Sequence, residues 1–506
     1  MKRKLIYLSI LVLLVLFACS QKENQKETVE KEEKKILTMA QKAEIKTLDP
    51  QKATDSVSRS IIKLINQTLV YIDNEGNIVP ELAQEITKVS PKETLIKIKN
   101  DIKFSNGETL TIDDVLFSLE RAKASPKMSQ DLYMIESFEK VDDRTLKINT
   151  LYDAGNLLHK LASGGVAIIN KKAFEEDENN IVGTGMFKLK EWVAGEKLVL
   201  ERNEFFKDSE SNIDTLVVKF VPEANSRMIM LETGEIDLAR DLLPLDFKKI
   251  SEDTKFTTVE VETPSNMFLG FDLRNELLSD KRVRQAIAYA INNVDLVKTV
   301  FNGSASVATS PVPKITTGHN ENSNNYPQNI EKAKQLLAEA GYPNGFNIEL
   351  FVSEDNQRID MAVIIQDNLK KIGINAEIKT FQWAAYVSTI ENPNIIKPLF
   401  IMSWNISNDD PDEVLYPLYH SSQIDAHTNV VFYKNEKFDN LISEARETTD
   451  KNKRMKLYEE AQDIIQEDLP HYTLVYPKQN FAYKASIKNI KYNKRAYLDF
   501  QDTIIE

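Results

Sequence analysis

KFSNGETLTIDDVLFSLER, residues 103–121, passes from a turn-rich approach into a helix within a few positions. Thr111 stands where an N-cap is needed, Asp114 follows three residues later, and Val115, Leu116 and Leu119 give the helix an apolar side. Outward from this stretch the local pattern keeps changing. Apolar and polar residues alternate over Leu95–Lys99, Leu216–Val221 and Ile348–Val352, the period of strands. Over 280–301, Val283, Ala286, Ile287, Ala290, Ile291, Val294, Val297 and Phe301 recur at three- and four-residue steps, which predicts one helix. Gly341 and Gly373 follow apolar helical stretches and suit C-terminal caps. Strands and helices are mixed along the whole length, so the fold class is α/β or α+β. Residues 302–328, rich in Ser, Thr, Pro, Gly and Asn, read as a long loop within one lobe.

The chain has 506 residues, and a single core rarely grows past roughly 250–300, so more than one domain is expected. Its net charge of −13 is spread rather than blocked, which argues against a nucleic-acid face or a polybasic membrane patch. Cys19 is the sole cysteine, which excludes an intramolecular disulfide and a cysteine-built metal site.

The first residues read as an address. Lys2, Arg3 and Lys4 precede the apolar run Leu5–Ala18, which is shorter than the roughly 20 residues a spanning helix needs and suits a signal-peptide core. Leu16-Phe17-Ala18-Cys19 resembles a bacterial lipobox, which implies cleavage after residue 18 and a lipid on Cys19. Residues 20–35 hold five lysines and five glutamates and little that could be buried, so 19–35 reads as a flexible tether.

Catalytic constellations are missing. His159, His319, His420, His427 and His471 make no closely spaced metal-protease pair, and no phosphate-cradling P-loop occurs. Gly183-Thr184-Gly185 reads as a lone glycine turn, of the kind that permits positive φ, rather than as an anion loop. Trp192, Trp383 and Trp404 are each core residues or ligand walls. Trp404 stands apart, because Asn405, Ser407, Asn408, Asp409 and Asp410 follow it: a flat wall beside oriented polar groups is what a solute pocket needs. A surface loop of Asx turns is the other reading of that run.

Further blocks carry a family resemblance, in family order: Thr47-Leu48-Asp49-Pro50, the stretch 103–121, IVGTGMFKLKEW (181–192, with Met186 at a usual Pro), LETGEIDLA (231–239), RVRQAIAYAI (282–291), AKQLLAEAGYPNGF (333–346) and the helical pair 439–470. Together they resemble the family 5 solute-binding proteins, the dipeptide, oligopeptide and nickel binders of ABC importers. The resemblance implies a two-lobed periplasmic-binding-protein-like α/β fold with a ligand cleft between the lobes. Lobe I would comprise 36–66, 187–262 and 477–506, with an extra subdomain at 67–186, and lobe II would be 263–476. The implied protein is no enzyme and needs no cofactor. It is a monomer held at the membrane by its lipid, with its domain in the periplasm or outside the cell. It captures a small solute, a peptide first, and hands it to the permease subunits and, through them, the ATPase. A metal chelate such as nickel, or a surface adhesin or receptor role on the same fold, is the alternative.

The same resemblance nominates site residues. Thr54 aligns with a ligand-contacting threonine. Ser407 stands where dipeptide-binding relatives have an aspartate for the peptide amino group; Asp409 or Asp410 would supply that charge if the loop is shifted. Arg358, after Ser353 and Glu354, is the candidate for a ligand carboxylate. Trp383, Trp404, Asn405 and Ile406 complete the expected wall, and His420 is a weak metal candidate beside Trp404.

Overall fold

One strand organises the sheet. The computed structural model describes residues 34–53, 55–73, 76–125, 128, 132–321, 326–406 and 409–506, and within it His471–Lys484 is a single strand of 14 residues. Its first half pairs antiparallel with Ser265–Phe271 and Ala305–Val307; its second half pairs antiparallel with Phe256–Glu262 and Leu238–Arg240. On one side the sheet continues through Leu399–Asn405, Asn347–Ser353 and Asn375–Phe381, and on the other through Ile36–Gln41, Thr215–Phe220, Lys197–Arg202 and Phe187–Val193. Parallel pairs such as Ile36–Gln41 with Thr215–Phe220 stand beside antiparallel ones, so the α/β class expected above is the observed one. Ile36–Glu506 is one unit of structure. The expectations for Cys19, Thr54 and Ser407 lie outside the described residues.

The chain passes between the two halves of the sheet at Thr263–Pro264 and returns at Pro477. Proline lacks a ladder donor: Pro264 lies between two strands, and Pro477 lies where the long strand changes partner from Ala305–Val307 to Phe256–Glu262. The Thr263 hydroxyl donates to the Pro477 carbonyl at 2.7 Å and ties the two crossings together.

Each half has its own packing. Met267, Leu269, Leu350 and Leu399 meet Val283, Ile287, Ala333, Ile365 and Leu369 in one apolar core. Leu37, Leu198, Leu216 and Val218 meet Ile61, Ile65 and Phe481 in another. A separate four-stranded antiparallel sheet, Ala83–Ser90, Glu93–Ile98, Thr145–Thr150 and Ile135–Lys140, packs its apolar face on the helix Ile112–Ala124. That helix starts as its sequence requires: the Thr111 hydroxyl donates to the Asp114 carboxylate at 2.6 Å and accepts from the Asp114 amide at 3.4 Å, a reciprocal cap. Ile112, Val115, Leu119 and Ala122 are buried beneath it. Its last turn sends Arg121 to Asp49, 2.8 Å between Nη1 and Oδ1, so the early Leu-Asp-Pro element and the stretch 103–121 meet in space. Burial would raise the Asp49 carboxyl, but Arg121 outweighs it and holds the pKa below the ordinary value.

Two local expectations are corrected. The helix predicted over 280–301 stops at Ala290; Ile291 is extended and Asn292 caps a new short helix, accepting from the Val294 and Asp295 amides. Val294, counted among the apolar positions, is 62% exposed as a result. Gly183 and Gly185 do not have positive φ. They are small because the chain presses there against the end of the helix Ser56–Ile65: a Cβ at Gly183 would lie 2.2 Å from the Ile65 carbonyl oxygen, and one at Gly185 2.6 Å from that of Leu64. Gly341 and Gly373 do take positive φ, +94° and +83°, just beyond their helices.

Candidate functional site

Where the two crossings lie, the halves of the sheet leave a cleft of about 680 Å³, inside the range of roughly 300–1,000 Å³ typical of small-ligand sites. Its floor is Thr263–Ser265 and Pro477–Asn480; Asp241, Leu242 and Arg240 wall one side, and Asp355, Asn405 and Ile406 the other. A smaller space of about 70 Å³ opens from it, sharing Pro264, Ile406, Arg495 and Tyr497.

The walls are held from below. Arg227 is 1% exposed and forms no ion pair among the described residues; its guanidinium donates to the carbonyls of Arg240 at 2.8 Å, Val221 at 2.6 Å and Pro222 at 2.9 Å. Four backbone contacts from one rigid fork, the Asp241 carbonyl included, fix two loops at the cleft edge. Burial lowers its pKa from the usual arginine value. Asn480 on the long strand exchanges two hydrogen bonds with the Leu242 backbone, 2.9 and 3.0 Å. Opposite, the Ile406 amide donates to the Pro264 carbonyl at 2.8 Å, and the Ser265 hydroxyl donates to the Asn405 side chain, so the end of Leu399–Asn405 is tied to the crossing. Asp355 caps the helix Asn356–Lys370, accepting from the Arg358 amide at 3.1 Å.

The residues nominated from sequence are distributed unevenly around this space. Asn405 and Ile406 line it. Ser353 is buried and accepts from Arg358 at 3.1 Å; Arg358 also donates to Ser403 at 2.9 Å and lies 5.0 Å from the ring centre of Trp383, which is half-exposed. Glu354 is exposed and accepts from Gln382 at 2.8 Å. Trp404 packs against the core of Val414, Leu415 and Tyr458, its indole N–H donating to the Glu413 carbonyl at 2.6 Å. Asp409 borders the smaller space but is engaged by Lys494 at 2.9 Å and by the Thr317 amide at 2.9 Å and hydroxyl at 3.0 Å. Asp410, 1% exposed, accepts from Arg454 at 2.7 and 2.8 Å. Burial pushes its pKa up, but Arg454 and then His159 outweigh that and hold it below the ordinary carboxylate value. His420 accepts from the Ser422 amide at 3.2 Å and is 3.9 Å from Asp439. Among the described residues no three or more His, Cys, Asp or Glu side chains are grouped to hold a metal.

Beyond the cleft the domain carrying the four-stranded sheet touches the segment 409–455 directly. Arg446 lies between the rings of Tyr133 and Tyr416, 3.7 and 3.5 Å from their centres, and reaches Asp412 at 3.2 Å. Lys160 and Glu413, both buried, are 3.5 Å apart. Arg240 and Arg495 at the cleft, and Arg59 in the smaller space, were not singled out by sequence reasoning. They come from distant segments, and the sole local hint is the turn signal of Asn493 before Lys494-Arg495.

Comparison with known proteins bears on this geometry. The model of the bacterial extracellular solute-binding proteins, family 5, matches residues 77–426. The chain is 30% identical to the oligopeptide-binding protein AppA of Bacillus subtilis, over 98% of this chain and 97% of that protein. It is 28% identical to the glutathione-binding protein GsiB of Escherichia coli K12, over 91% of this chain and 92% of the relative. A solved structure of the periplasmic binding protein DppA from Helicobacter pylori, in complex with the peptide STSA, superposes with a TM-score of 0.80 at 26% identity, over 92% of this chain and 98% of that one.

Proposed function

The chain belongs to the family 5 bacterial extracellular solute-binding proteins, and from that membership we propose that it captures peptides between two closing lobes and delivers them to the permease and ATPase of an ABC importer. Its relatives are binding proteins, not enzymes. Lobe I would be 36–66, 187–262 and 477–506 with the subdomain 67–186, and lobe II 263–476. The observation that carries the reading is the cleft of about 680 Å³ whose walls come from both halves of the sheet and whose floor is the pair of proline-bearing crossings. Ligand contacts to both walls would favour the closed arrangement over an open one, and two short crossings are where a hinge absorbs the change. Asp241 and Asp355 with Lys42, Arg240 and Arg495 offer both signs of charge, as a zwitterionic peptide requires. Relatives named for oligopeptides and glutathione support the same class.

The test is thermal denaturation with peptide pools of defined length, beside native mass spectrometry of the freshly purified protein. A binding pool at a hundredfold excess over Kd adds about 2.7 kcal/mol of stability. No shift with any pool, together with a co-purifying non-peptide cargo, would sink the peptide reading.

The anchor is proposed separately. The apolar run ending at Cys19 supports lipidation there, with the domain outside the cytoplasmic membrane. Cys19→Ser is expected to release the protein from the membrane fraction. If the variant remains in that fraction, the lipid is not what holds the protein there.

A further inference from the structure

We propose that Arg59 and Arg495 form a carboxylate-binding subsite in the small space at the cleft floor, so that this protein selects cargo carrying a free carboxylate there. The proposal rests on the reading of the cleft as a peptide site and adds which group of the peptide is held, and by what.

Both arginines line the space of about 70 Å³ that opens from the cleft, and Arg495 faces both volumes. Neither has a carboxylate within ion-pair distance among the described residues. Arg59 donates to the Ala53 carbonyl at 3.3 Å and approaches the Met128 sulfur at 3.9 Å. The Arg495 guanidinium has the ring of Tyr497, 5.8 Å from its centre, as its neighbour. The carboxylates bordering the space are already engaged. Asp409 is held by Lys494 and Thr317. Glu81 accepts from the Thr68 amide at 2.7 Å and hydroxyl at 2.8 Å. Asp73 accepts from Asn77 at 2.8 Å. Lys63 adds another positive charge to the same lining. Like charges crowded into a partly desolvated space are unfavourable unless an anion joins them, and a guanidinium fork matches a carboxylate in shape as well as charge. Burial lowers the pKa of Arg495 and outweighs the opposing influence of Tyr497, Glu413 and Asp409, while the charge of Arg59 adds to the lowering.

The subsite is built rather than incidental. Asn493 accepts from the Arg495 amide at 2.9 Å and the Tyr497 amide at 3.1 Å, and Ala496 holds φ at +56°, a left-handed conformation that a non-glycine residue adopts at a cost. The turn thus presents Lys494 to Asp409 and Arg495 to the cleft. Arg240, 6% exposed on the cleft wall, donates to the Ala496 carbonyl at 3.1 Å, while its Nε is buried without a partner among the described residues. Arg240 thus supports, from the cleft side, the turn that carries Arg495.

Calorimetry would compare one peptide in three forms: free C-terminus, C-terminal amide, and C-terminal amide with a Glu side chain replacing Gln. The wild type is expected to bind at least one carboxylate form about tenfold or more tightly than the plain amide, as loss of a charge-assisted bidentate contact requires. The form that wins identifies whether the carboxylate is terminal or from a side chain. Arg495→Gln, and independently Arg59→Gln, should erase that preference. Without ligand, Arg495→Gln should melt no lower than the wild type, because it loses no ion pair. Equal binding of all three forms, or a preference that survives in both variants, overturns the subsite. If no peptide binds but succinate raises the melting temperature of the wild type and not of Arg495→Gln, the peptide reading fails and the subsite stands. If neither peptides nor succinate act on the wild type, the subsite falls.

Discussion

Asp410→Ala is expected to destabilise the protein by about 3–5 kcal/mol and to leave the peptide affinity of the folded variant unchanged. Asp410 sits in the polar run after Trp404, where sequence reasoning sought a charge for the ligand. Instead its carboxylate is 1% exposed and meets Arg454, itself 4% exposed, at 2.7 Å. Removing one partner leaves the other charge buried and uncompensated, which costs far more than the net worth of the pair. Two features add to the loss: Asp410 also accepts from the Asp412 amide at 2.9 Å, and Arg454 extends to the Tyr458 hydroxyl at 3.0 Å. Asp410→Leu combined with Arg454→Met should recover most of the stability, since an apolar pair of similar volume carries no desolvation penalty. Urea midpoints of the single and double variants check this. A single-variant loss below about 1 kcal/mol, or lost affinity at full stability, would return Asp410 to the ligand. Because its folded pKa lies below the unfolded one, its stabilisation is complete above about pH 4 and is lost as pH falls through the lower, folded value.

Acid is expected to weaken the fold well before that, with His471 contributing most. The ring is 2% exposed, stacked on Phe268 at 4.1 Å between centres, with Nδ1 3.2 Å from the Tyr419 hydroxyl and Nε2 without a partner among the described residues. Burial lowers its pKa to about 3. Below the unfolded value of about 6.5 the unfolded chain binds a proton that the folded one refuses, so stability falls as pH falls. From pH 6.5 to pH 4 this one group removes about 3 kcal/mol. His159, His319 and His420 are also lowered, burial first among the causes, and act in the same direction. Urea midpoints between pH 7 and 4 should fall more gently in His471→Gln than in the wild type, whatever the variant's stability at pH 7. Parallel curves for the two proteins would rule out this assignment.

Much of the fold was legible because its signals are local. Thr111 and Asp114 cap a helix through atoms three residues apart, and Gly341 and Gly373 end helices by their own φ. The alternations at 216–221 and 348–352 mark strands because one face of each is buried. Where periodicity misled, a side chain intervened: Asn292 starts a new helix within an apolar pattern that continues past it. Gly183 and Gly185 misled for another reason, since what requires them small is the backbone of Leu64 and Ile65 with the side chain of Asn66, more than a hundred residues away.

The site was less legible. Asn405 and Ile406 reach the cleft, but Asp410 and Trp404 turn into the protein, because the segment after Leu399–Asn405 packs on the helix Lys451–Asp468 that supplies Arg454 and Tyr458. Arg59, Arg240 and Arg495 belong to three separate segments, and apart from the turn signal of Asn493 ahead of Arg495 their local sequence does not distinguish them from solvated arginines. The amino-acid sequence by itself determined the family, the mixed strand-and-helix class and the caps, since each rests on neighbours along the chain. Which charges are neutralised and which stay open to the cleft was decided by tertiary structure alone, because an ion pair depends on distances set by folding and not by separation along the chain.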